Sequence, residues 1–364
     1  MTMEYLNIES VASKWGITPR RLQILCAEGK IPGATRFGRA WMIPNDATKP
    51  LDGRRKGNSN MQTHQKLDLP FPRCSPALRL TNLYRTPGMA KQVQNALSSQ
   101  PYAQALFAAD IAYCKGLINE AYAQTNTLPE QPNDFYSAIS KNMLLAQCAV
   151  WQGDLDLWDN ARKEILNIKA MDKSQQASIS LCICALDGIF HKYDSVPDWF
   201  RDGRFESLHK DMLPAAKVYY TNYLYSKGQS LTAQVFGNDA IMGLAMLKLL
   251  PGIIEPMIAQ AMADETVIAE IYLRLTCATA YHFCKKDEIS FHHIDRTIEL
   301  AIPDKLYGIL AEYCMTLSTV IEQRIRQIAP SVWDDVSQLF EQYASNWFSL
   351  KKLIVSRRNN DIPL

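Results

Sequence analysis

The first forty residues alternate apolar and polar positions with a helical period. Ile8, Val11 and Ala12 are spaced by three and four, which predicts a short amphipathic helix over residues 7–14 with one apolar face. Gly16 follows, and a glycine can adopt the positive φ that a tight turn between helices requires. The pattern therefore predicts a helix that ends in a sharp turn.

A second helix is predicted to begin at Thr18 and Pro19 and to stop at Gly29. Threonine is a good N-cap, and the fixed φ of proline suits the first helical turn. Its inward stripe comprises Leu22, Leu25 and Cys26. The segment from Thr35 to Pro44 then fits a short basic hairpin that turns at Gly38 and Arg39.

Two helices joined by a tight turn and followed by a basic hairpin are typical of DNA-binding modules, in which the second helix enters the major groove. Its outward residues can reach base edges, while arginines of the hairpin meet phosphates. The predicted DNA-binding residues are Thr18, Arg20, Arg21, Gln23, Ile24, Arg36 and Arg39. Trp41 is expected to pack the hairpin onto the helices.

Three runs carry a family resemblance: S-V-A-S-K-W-G-I-T-P-R-R-L, E-G-K-I-P-G-A and R-F-G-R-A-W-M-I-P. They resemble the excisionase-like and MerR-like winged helix-turn-helix families over roughly the first fifty residues. The resemblance implies a winged helix-turn-helix that binds double-stranded DNA. The plainer interpretation is a small helical cap with a hairpin.

The helical pattern dissolves after the hairpin. Gly, Asn, Ser and Pro accumulate between residues 46 and 76, which is typical of a linker. We therefore predict a DNA-binding domain over 1–48, a linker over 49–76 and an α-helical domain over 77–364.

The region from about residue 100 to 353 is predicted to be almost entirely helical, with helices in antiparallel pairs that must stack to bury their apolar faces. These predictions include separate helices over 240–250 and 254–263 and one helix over 306–327. The run I-S-F-H-H-I-D-R-T-I-E-L-A-I-P-D-K-L-Y-G-I-L-A-E-Y resembles the tetratricopeptide-like region of LuxR-family and MalT-type regulators, over about residues 266–327. Those regulators carry an ATPase domain, whereas this chain lacks a phosphate-binding Gly-x-x-x-x-Gly-Lys-Ser/Thr motif. The predicted fold class is mainly α, a small winged helix-turn-helix joined to a tetratricopeptide-like repeat domain.

Aromatic residues near the middle of the helical domain are candidates for an effector pocket. The predicted effector-binding residues are Trp199, Tyr219, Tyr220 and Tyr223. The alternative is that these rings fill the core between helices.

Charge separates the two regions. Residues 1–60 contain ten Lys and Arg against five Asp and Glu, a balance of +5, whereas the whole chain carries +2, which leaves −3 for the remainder. Locally basic character favours a small DNA reader attached to a near-neutral body. No uninterrupted apolar run reaches the length of a bilayer span, and residues 1–20 lack a signal-peptide pattern, so we expect a cytoplasmic protein that does not contact a membrane. The nine scattered cysteines favour reduced thiols.

We predict neither a catalytic nor a metal site, and no cofactor. Cys182 and Cys184 have the wrong spacing for a zinc knuckle. A metal or redox site at His282, Cys284, His292 and His293 is conceivable, but the two adjacent histidines resemble the polar start of a helix. Nothing in the sequence indicates an enzyme.

The function expected from the sequence is a sequence-specific transcriptional regulator that binds double-stranded DNA as a homodimer. Its helical domain would bind a small-molecule or peptide effector, or mediate dimerisation. The alternative is a protein-interaction scaffold built on tetratricopeptide-like repeats, without specific DNA binding.

Overall fold

The computed structural model describes residues 5–15, 18–27, 31, 33–38, 40–45, 47, 82–128, 135–193, 196–233 and 238–360. The chain is mainly helical, with few strands. It separates into two compact units, residues 1–65 and 66–364. The predicted linker over 49–76 lies outside the described residues.

Unit 1 combines two helices with a small sheet. Its elements are β1 (Tyr5–Leu6), α1 (Ile8–Trp15), α2 (Pro19–Ala27), β2 (Thr35–Phe37) and β3 (Ala40–Pro44). The strands lie in the order β1-β3-β2 and are antiparallel. In this register Arg36 faces Trp41 across the hairpin, and Leu6 pairs with Ile43 at its far end. β1 therefore adds a third strand that the sequence pattern did not predict.

A small apolar core holds unit 1 together. Its buried members among the described residues are Val11, Ala12, Leu22, Leu25, Cys26, Ile31 and Ile43. Trp41 packs against this core from the hairpin, as expected. The Asn7 side chain accepts a hydrogen bond from the Ser10 amide (2.8 Å), which satisfies an amide in the first turn of α1.

Unit 2 is built from helices. Its described helices are α3 (Ala90–Ala96), α4 (Pro101–Lys115), α5 (Ile118–Asn126), α6 (Phe135–Gln152), α7 (Leu155–Asn167), α8 (Lys173–Ile189), α9 (Asp198–Arg201), α10 (Leu213–Thr232), α11 (Asn238–Ala263), α12 (Val267–Phe283), α13 (Asp287–Ala301), α14 (Tyr307–Ala311), α15 (Cys314–Ile328) and α16 (Trp333–Asn360). Short 3₁₀ turns occupy Lys210–Met212, Ile302–Asp304 and Pro330–Val332.

Consecutive helices pack against each other along most of unit 2, and helices far apart in sequence also meet. α14 packs on α4, and α16 packs on α6. The first of these contacts is very close, because a Cβ atom on Gly308 would lie 2.6 Å from the Gly116 amide nitrogen and 2.7 Å from the Tyr113 carbonyl oxygen. The late helices therefore close back onto the early ones.

α11 corrects one prediction. The sequence pattern predicted two helices separated near Pro251, but a single helix runs through both Pro251 and Pro256. Proline removes a backbone donor, so the Leu247 carbonyl loses its partner four residues on. The Cys284 thiol at the end of the neighbouring α12 contacts that oxygen at 3.9 Å. α11 packs against both α10 and α12, and these contacts stabilise the helix across its two prolines.

The predicted helix over 306–327 is also wrong in one respect, because it is interrupted. α14 ends at Ala311 and α15 begins at Cys314, with Glu312 and Tyr313 between them. The final helix, α16, extends from Trp333 to Asn360. Both residues at the interruption are half-buried, and their side chains form hydrogen bonds to other helices of unit 2.

One described helix, α11, is apolar and long enough to cross a bilayer by length and composition alone, and 33% of its most apolar stretch is buried. The sequence criterion required an uninterrupted apolar run, which Lys248 and Glu255 break. A single helix of this kind is weak evidence for a span, since core helices of folded proteins meet the same criterion.

Candidate nucleic-acid interface and ligand cavity

The outward face of α2 carries the predicted contact residues of unit 1. Arg20, Gln23 and Ile24 are exposed, and Ile24 is 41% exposed although it is apolar. They lie on one side of the helix because residues three and four apart are neighbours. Thr18 is exposed immediately before the helix, and its carbonyl accepts from the Leu22 amide at 3.1 Å.

The hairpin presents one further described arginine. Arg36 is exposed on β2, next to a turn in which Gly38 has a φ of +62°. A positive φ in a two-residue hairpin loop favours glycine, so the turn residue matches its conformation. Arg21 lies in α2, its side chain being outside the described residues, and Arg39 lies outside them altogether.

This arrangement has a definite chemical capacity. An exposed guanidinium near the start of a helix can bind a guanine edge or a phosphate with two parallel hydrogen bonds. An exposed amide such as that of Gln23 can pair with an adenine edge, and a hairpin arginine can contact phosphate. Arg20, Gln23 and Arg36 offer these three groups on the described surface of unit 1.

Unit 2 contains a cavity of about 180 Å³ among its described helices. Its walls come from α6, α8, α10, α12 and α16, and from the interruption between α14 and α15. Its volume is comparable to cavities that hold one small organic molecule. Most of its lining is apolar, with a limited set of polar groups, as is usual for ligand sites.

Glu312 stands at the centre of the first polar group. One carboxylate oxygen accepts from the Tyr113 hydroxyl at 2.6 Å, and the other accepts from the Tyr272 hydroxyl at 3.0 Å. Tyr113 in turn accepts from the indole nitrogen of buried Trp151 at 2.8 Å. Hydrogen bonds from three helices therefore fix the position of the carboxylate.

A second polar group joins α10, α12 and Tyr313. The Thr276 hydroxyl donates to the Asn222 side-chain oxygen at 2.8 Å and lies 2.9 Å from the Tyr313 hydroxyl. Tyr313 also donates to the Tyr272 carbonyl at 3.3 Å. These contacts explain why the helix breaks at residues 312 and 313, since both side chains are held inside.

His191 closes another side of the cavity. It follows α8 with a φ of +56°, a conformation for which histidine is enriched among non-glycine residues. Its Nδ1 lies 2.9 Å from the Ser226 hydroxyl. Burial, with a contribution from Lys351, lowers the pKa of His191, which keeps the ring neutral at neutral pH. The indole of Trp347 donates to the Ile189 carbonyl at 3.0 Å and so fixes its ring on the neighbouring wall.

The structure divides the four predicted effector residues. Tyr219 lines the cavity. Trp199, Tyr220 and Tyr223 instead contact the fully buried ring of Phe200, at centroid distances of 5.8 to 5.9 Å. These three rings are absent from the described lining and belong to an aromatic cluster beside it.

Sequence reasoning missed Glu312, Asn222 and Gln147, which line the cavity. Glu312 left one signal, because it interrupts an apolar run in the segment that carried the LuxR-type resemblance. The others sit on helices whose apolar period gives no reason to single them out.

The histidines and cysteines singled out in the sequence do not share one site among the described residues. His282 pairs with Asp287 at 2.8 Å, and His292 is exposed. His293 instead lies 3.6 Å from the thiol of Cys277, near the carboxylate of Glu255. This trio has ligand atoms within 4.8 Å of one another, a spacing that a metal ion could bridge.

Burial governs the protonation of Cys277 and His293. It raises the pKa of Cys277 to about 12 and lowers that of His293 to about 4. Both groups are therefore neutral at neutral pH, and a thiol–imidazole hydrogen bond accounts for their contact.

Comparison of the chain with protein families, with curated proteins and with solved structures gives no match in any of the three.

Proposed function

We propose that this protein is a cytoplasmic, sequence-specific transcriptional regulator that reads double-stranded DNA through unit 1 and binds an effector in unit 2. The observation that carries the proposal is the exposed face of α2, where Arg20 and Gln23 stand beside a hairpin that presents Arg36. In this proposal unit 1 is a winged helix-turn-helix of the excisionase-like or MerR-like kind. α2 is its recognition helix, and the hairpin is its wing.

Unit 2 is proposed to be the sensing domain, a tetratricopeptide-like array similar to that of LuxR-family and MalT-type regulators. Its consecutive helices pack in pairs, as in such arrays. The contacts of α14 with α4 and of α16 with α6 close the array around an internal cavity. A cavity with fixed polar groups and an apolar wall supports an effector-binding role.

The test of DNA binding is selection of bound sequences from random duplex DNA with the full chain. Affinity for the selected site is then measured over a salt titration, and we expect it to fall as salt rises, because phosphate contacts release counterions. The double variant Arg20→Ala with Arg21→Ala should weaken binding to that site by about 100-fold or more.

A matched control removes the same amount of positive charge. The double variant Lys163→Ala with Lys169→Ala removes two exposed cations from unit 2 and should leave the affinity for the selected site close to that of wild type. If the Arg20 and Arg21 variant bound the selected site as wild type does, α2 would not be the recognition helix.

We also propose that the regulator acts as a homodimer, since a single short recognition helix makes few base contacts and two half-sites multiply affinity. α11 offers a surface for a second copy: Ile241 and Leu249 are 71% and 69% exposed. Lys248 and Glu255 are exposed on the same helix, two turns apart and opposite in charge. A two-fold axis between them would place each against its opposite in the partner.

Size-exclusion chromatography with light scattering tests this surface. Leu249→Glu should convert a dimer to a monomer, because it buries a charge at the proposed contact. The control is Leu166→Glu on α7, which replaces another exposed leucine (54%) away from α11. A wild-type chain that is monomeric at all concentrations would overturn the dimer.

The exposed apolar residues of α11 also favour a second candidate, a protein-interaction scaffold. The two functions differ in their response to DNA. Absence of measurable binding to any duplex at low salt would favour the scaffold over the regulator.

A further inference from the structure

The described lining of the unit 2 cavity contains an acidic side chain but no Lys or Arg. Among the described residues that line it, Glu312 is the only Asp or Glu. His191 stays neutral for the reason given above, and burial raises the pKa of the Cys184 thiol to about 12. An anionic ligand would therefore meet a carboxylate, and the described lining holds no Lys or Arg to attract it.

The walls are rich in aromatic faces. The lining includes seven aromatic side chains, which are Tyr193, Tyr219, Tyr225, Tyr272, Tyr313, Tyr343 and Trp347. Aromatic faces attract cations through the ring quadrupole, and the effect is strongest for tryptophan. The ammonium of Lys351 already lies 4.5 Å from the ring centroid of Trp347, and Phe190 stacks on the same indole at 5.7 Å, so the attraction for a ligand rests on the tyrosine rings.

The cavity also presents an unsatisfied acceptor. Gln147 is 1% exposed and lines the cavity, and its side-chain oxygen has no hydrogen-bond donor among the described residues. A buried acceptor without a donor costs free energy, so a ligand that supplies an N–H group would relieve it.

From these observations we infer that the cavity binds a small organic cation, a protonated primary or secondary amine with an apolar body. Glu312 balances the ammonium charge, Gln147 accepts an N–H bond, and the aromatic walls surround the remainder. This inference rests on the proposed effector role of unit 2 and names the class of effector.

Size is consistent with this ligand class. A cavity of about 150 Å³ lined by apolar groups accommodates benzene, and the present one measures about 180 Å³. It therefore has room for one ring or a short branched chain with an amino group.

Four probes of similar shape separate charge from donor capacity in the full chain, by isothermal titration calorimetry near pH 7. Benzylammonium carries both features, benzyltrimethylammonium carries charge without N–H donors, benzyl alcohol is neutral, and benzoate is anionic. We expect benzylammonium to bind about tenfold more tightly than benzyl alcohol. Benzyltrimethylammonium should fall between them, and benzoate should not bind.

The Glu312→Gln variant identifies the source of the preference. It keeps an oxygen that accepts from Tyr113 or Tyr272 but removes the charge, so the ratio between benzylammonium and benzyl alcohol should fall toward one. The control Glu341→Gln changes an exposed carboxylate on α16 and should leave the ratio unaltered. If Glu312→Gln does not fold, the wild-type ranking of the four probes decides the matter alone.

Benzoate or benzyl alcohol binding as tightly as benzylammonium would overturn the inference, and so would failure of all four probes to bind at millimolar concentration. Either result leaves DNA binding by unit 1 untouched, because that is measured by selection and salt titration. If the full chain binds benzylammonium but no DNA, the proposed regulator is rejected and the proposed amine site stands.

Discussion

The two units differ in where their candidate polar side chains lie, which is on the surface in unit 1 and around a cavity in unit 2. In unit 1 the described candidate side chains, Arg20, Gln23 and Arg36, point to solvent from a core of seven buried apolar residues. In unit 2 the polar groups around Glu312 and Asn222 turn inward, where six chain segments converge. An outward surface suits a large rigid partner such as a duplex, whereas an inward one suits a small molecule.

The cores of the two units also differ in size, so the units should differ in how much destabilisation each can withstand. A small core has little stability in reserve, whereas a larger one buries a greater fraction of its chain. Two leucines test this directly, because Leu22 in unit 1 and Leu144 in unit 2 are both 0% exposed. Each change to alanine should cost about 3 kcal/mol in the unfolding free energy of its own unit.

The consequences should differ. Leu22→Ala should abolish the proposed DNA binding by unfolding unit 1, while the far-ultraviolet circular dichroism of the full chain changes little. Leu144→Ala should leave unit 2 folded at 25 °C but lower its denaturant midpoint. Leu166→Ala, at an exposed leucine of α7, serves as the control. Unfolding of unit 2 by Leu144→Ala at 25 °C would show that the larger core has no greater reserve.

The sequence predicted which described side chains of unit 1 are exposed better than which side chains of unit 2 share a cavity, for a physical reason. Helical period separates buried from exposed positions, so the spacing of apolar residues was enough to mark Leu22 as inward and Arg20 as outward. It cannot show which buried positions on different helices face one space. Gln147 and Asn222 are 75 residues apart, and their meeting depends on packing between helices.

Local signals failed in a similar way at α11. Pro251 predicts a break when only its own segment is considered. The structure keeps the helix because α10 and α12 flank it and the Cys284 thiol reaches the freed Leu247 carbonyl. The opposite occurs at Glu312, where the sequence predicts a continuous helix. The helix is interrupted there because the Glu312 carboxylate accepts hydrogen bonds from Tyr113 and Tyr272 on other helices.

The buried side chain of His293 also makes the stability of unit 2 sensitive to acid. Burial, with Arg274 and His292 nearby, lowers the pKa of His293 to about 4 from 6.5. Between these two values the unfolded chain binds a proton that the folded chain does not, so stability falls as pH falls from 6.5 to 4. The loss should be on the order of 2 kcal/mol. His293→Gln should flatten this part of the stability profile, as measured by urea denaturation at several pH values.

The neighbouring histidine supplies a comparison. His292 is one of the smaller contributions to the lowered pKa of His293, so His292→Gln should reduce the slope of stability against pH less than His293→Gln does. Equal slopes for wild type and His293→Gln would show that His293 is protonated alike in both states, and the acid sensitivity would then need another source.

The smallest predicted effect uses a feature that both units share. The Asn7 side chain caps α1 by accepting from the Ser10 amide at 2.8 Å, and Asp154 caps α7 by accepting from the Leu157 amide at 2.9 Å. Asn7→Ala and Asp154→Ala should each cost about 1 kcal/mol. The same loss should lower the melting temperature of unit 1 by about 4 to 8 °C and that of unit 2 by about half as much or less, because the entropy of unfolding grows with size. Differential scanning calorimetry of the full chain measures both transitions.

If each variant instead lowered a single shared transition by the same amount, the two units would unfold as one cooperative block. The contrast between the outward polar groups of unit 1 and the inward polar groups of unit 2 would then describe where these groups lie and not the stability of the units.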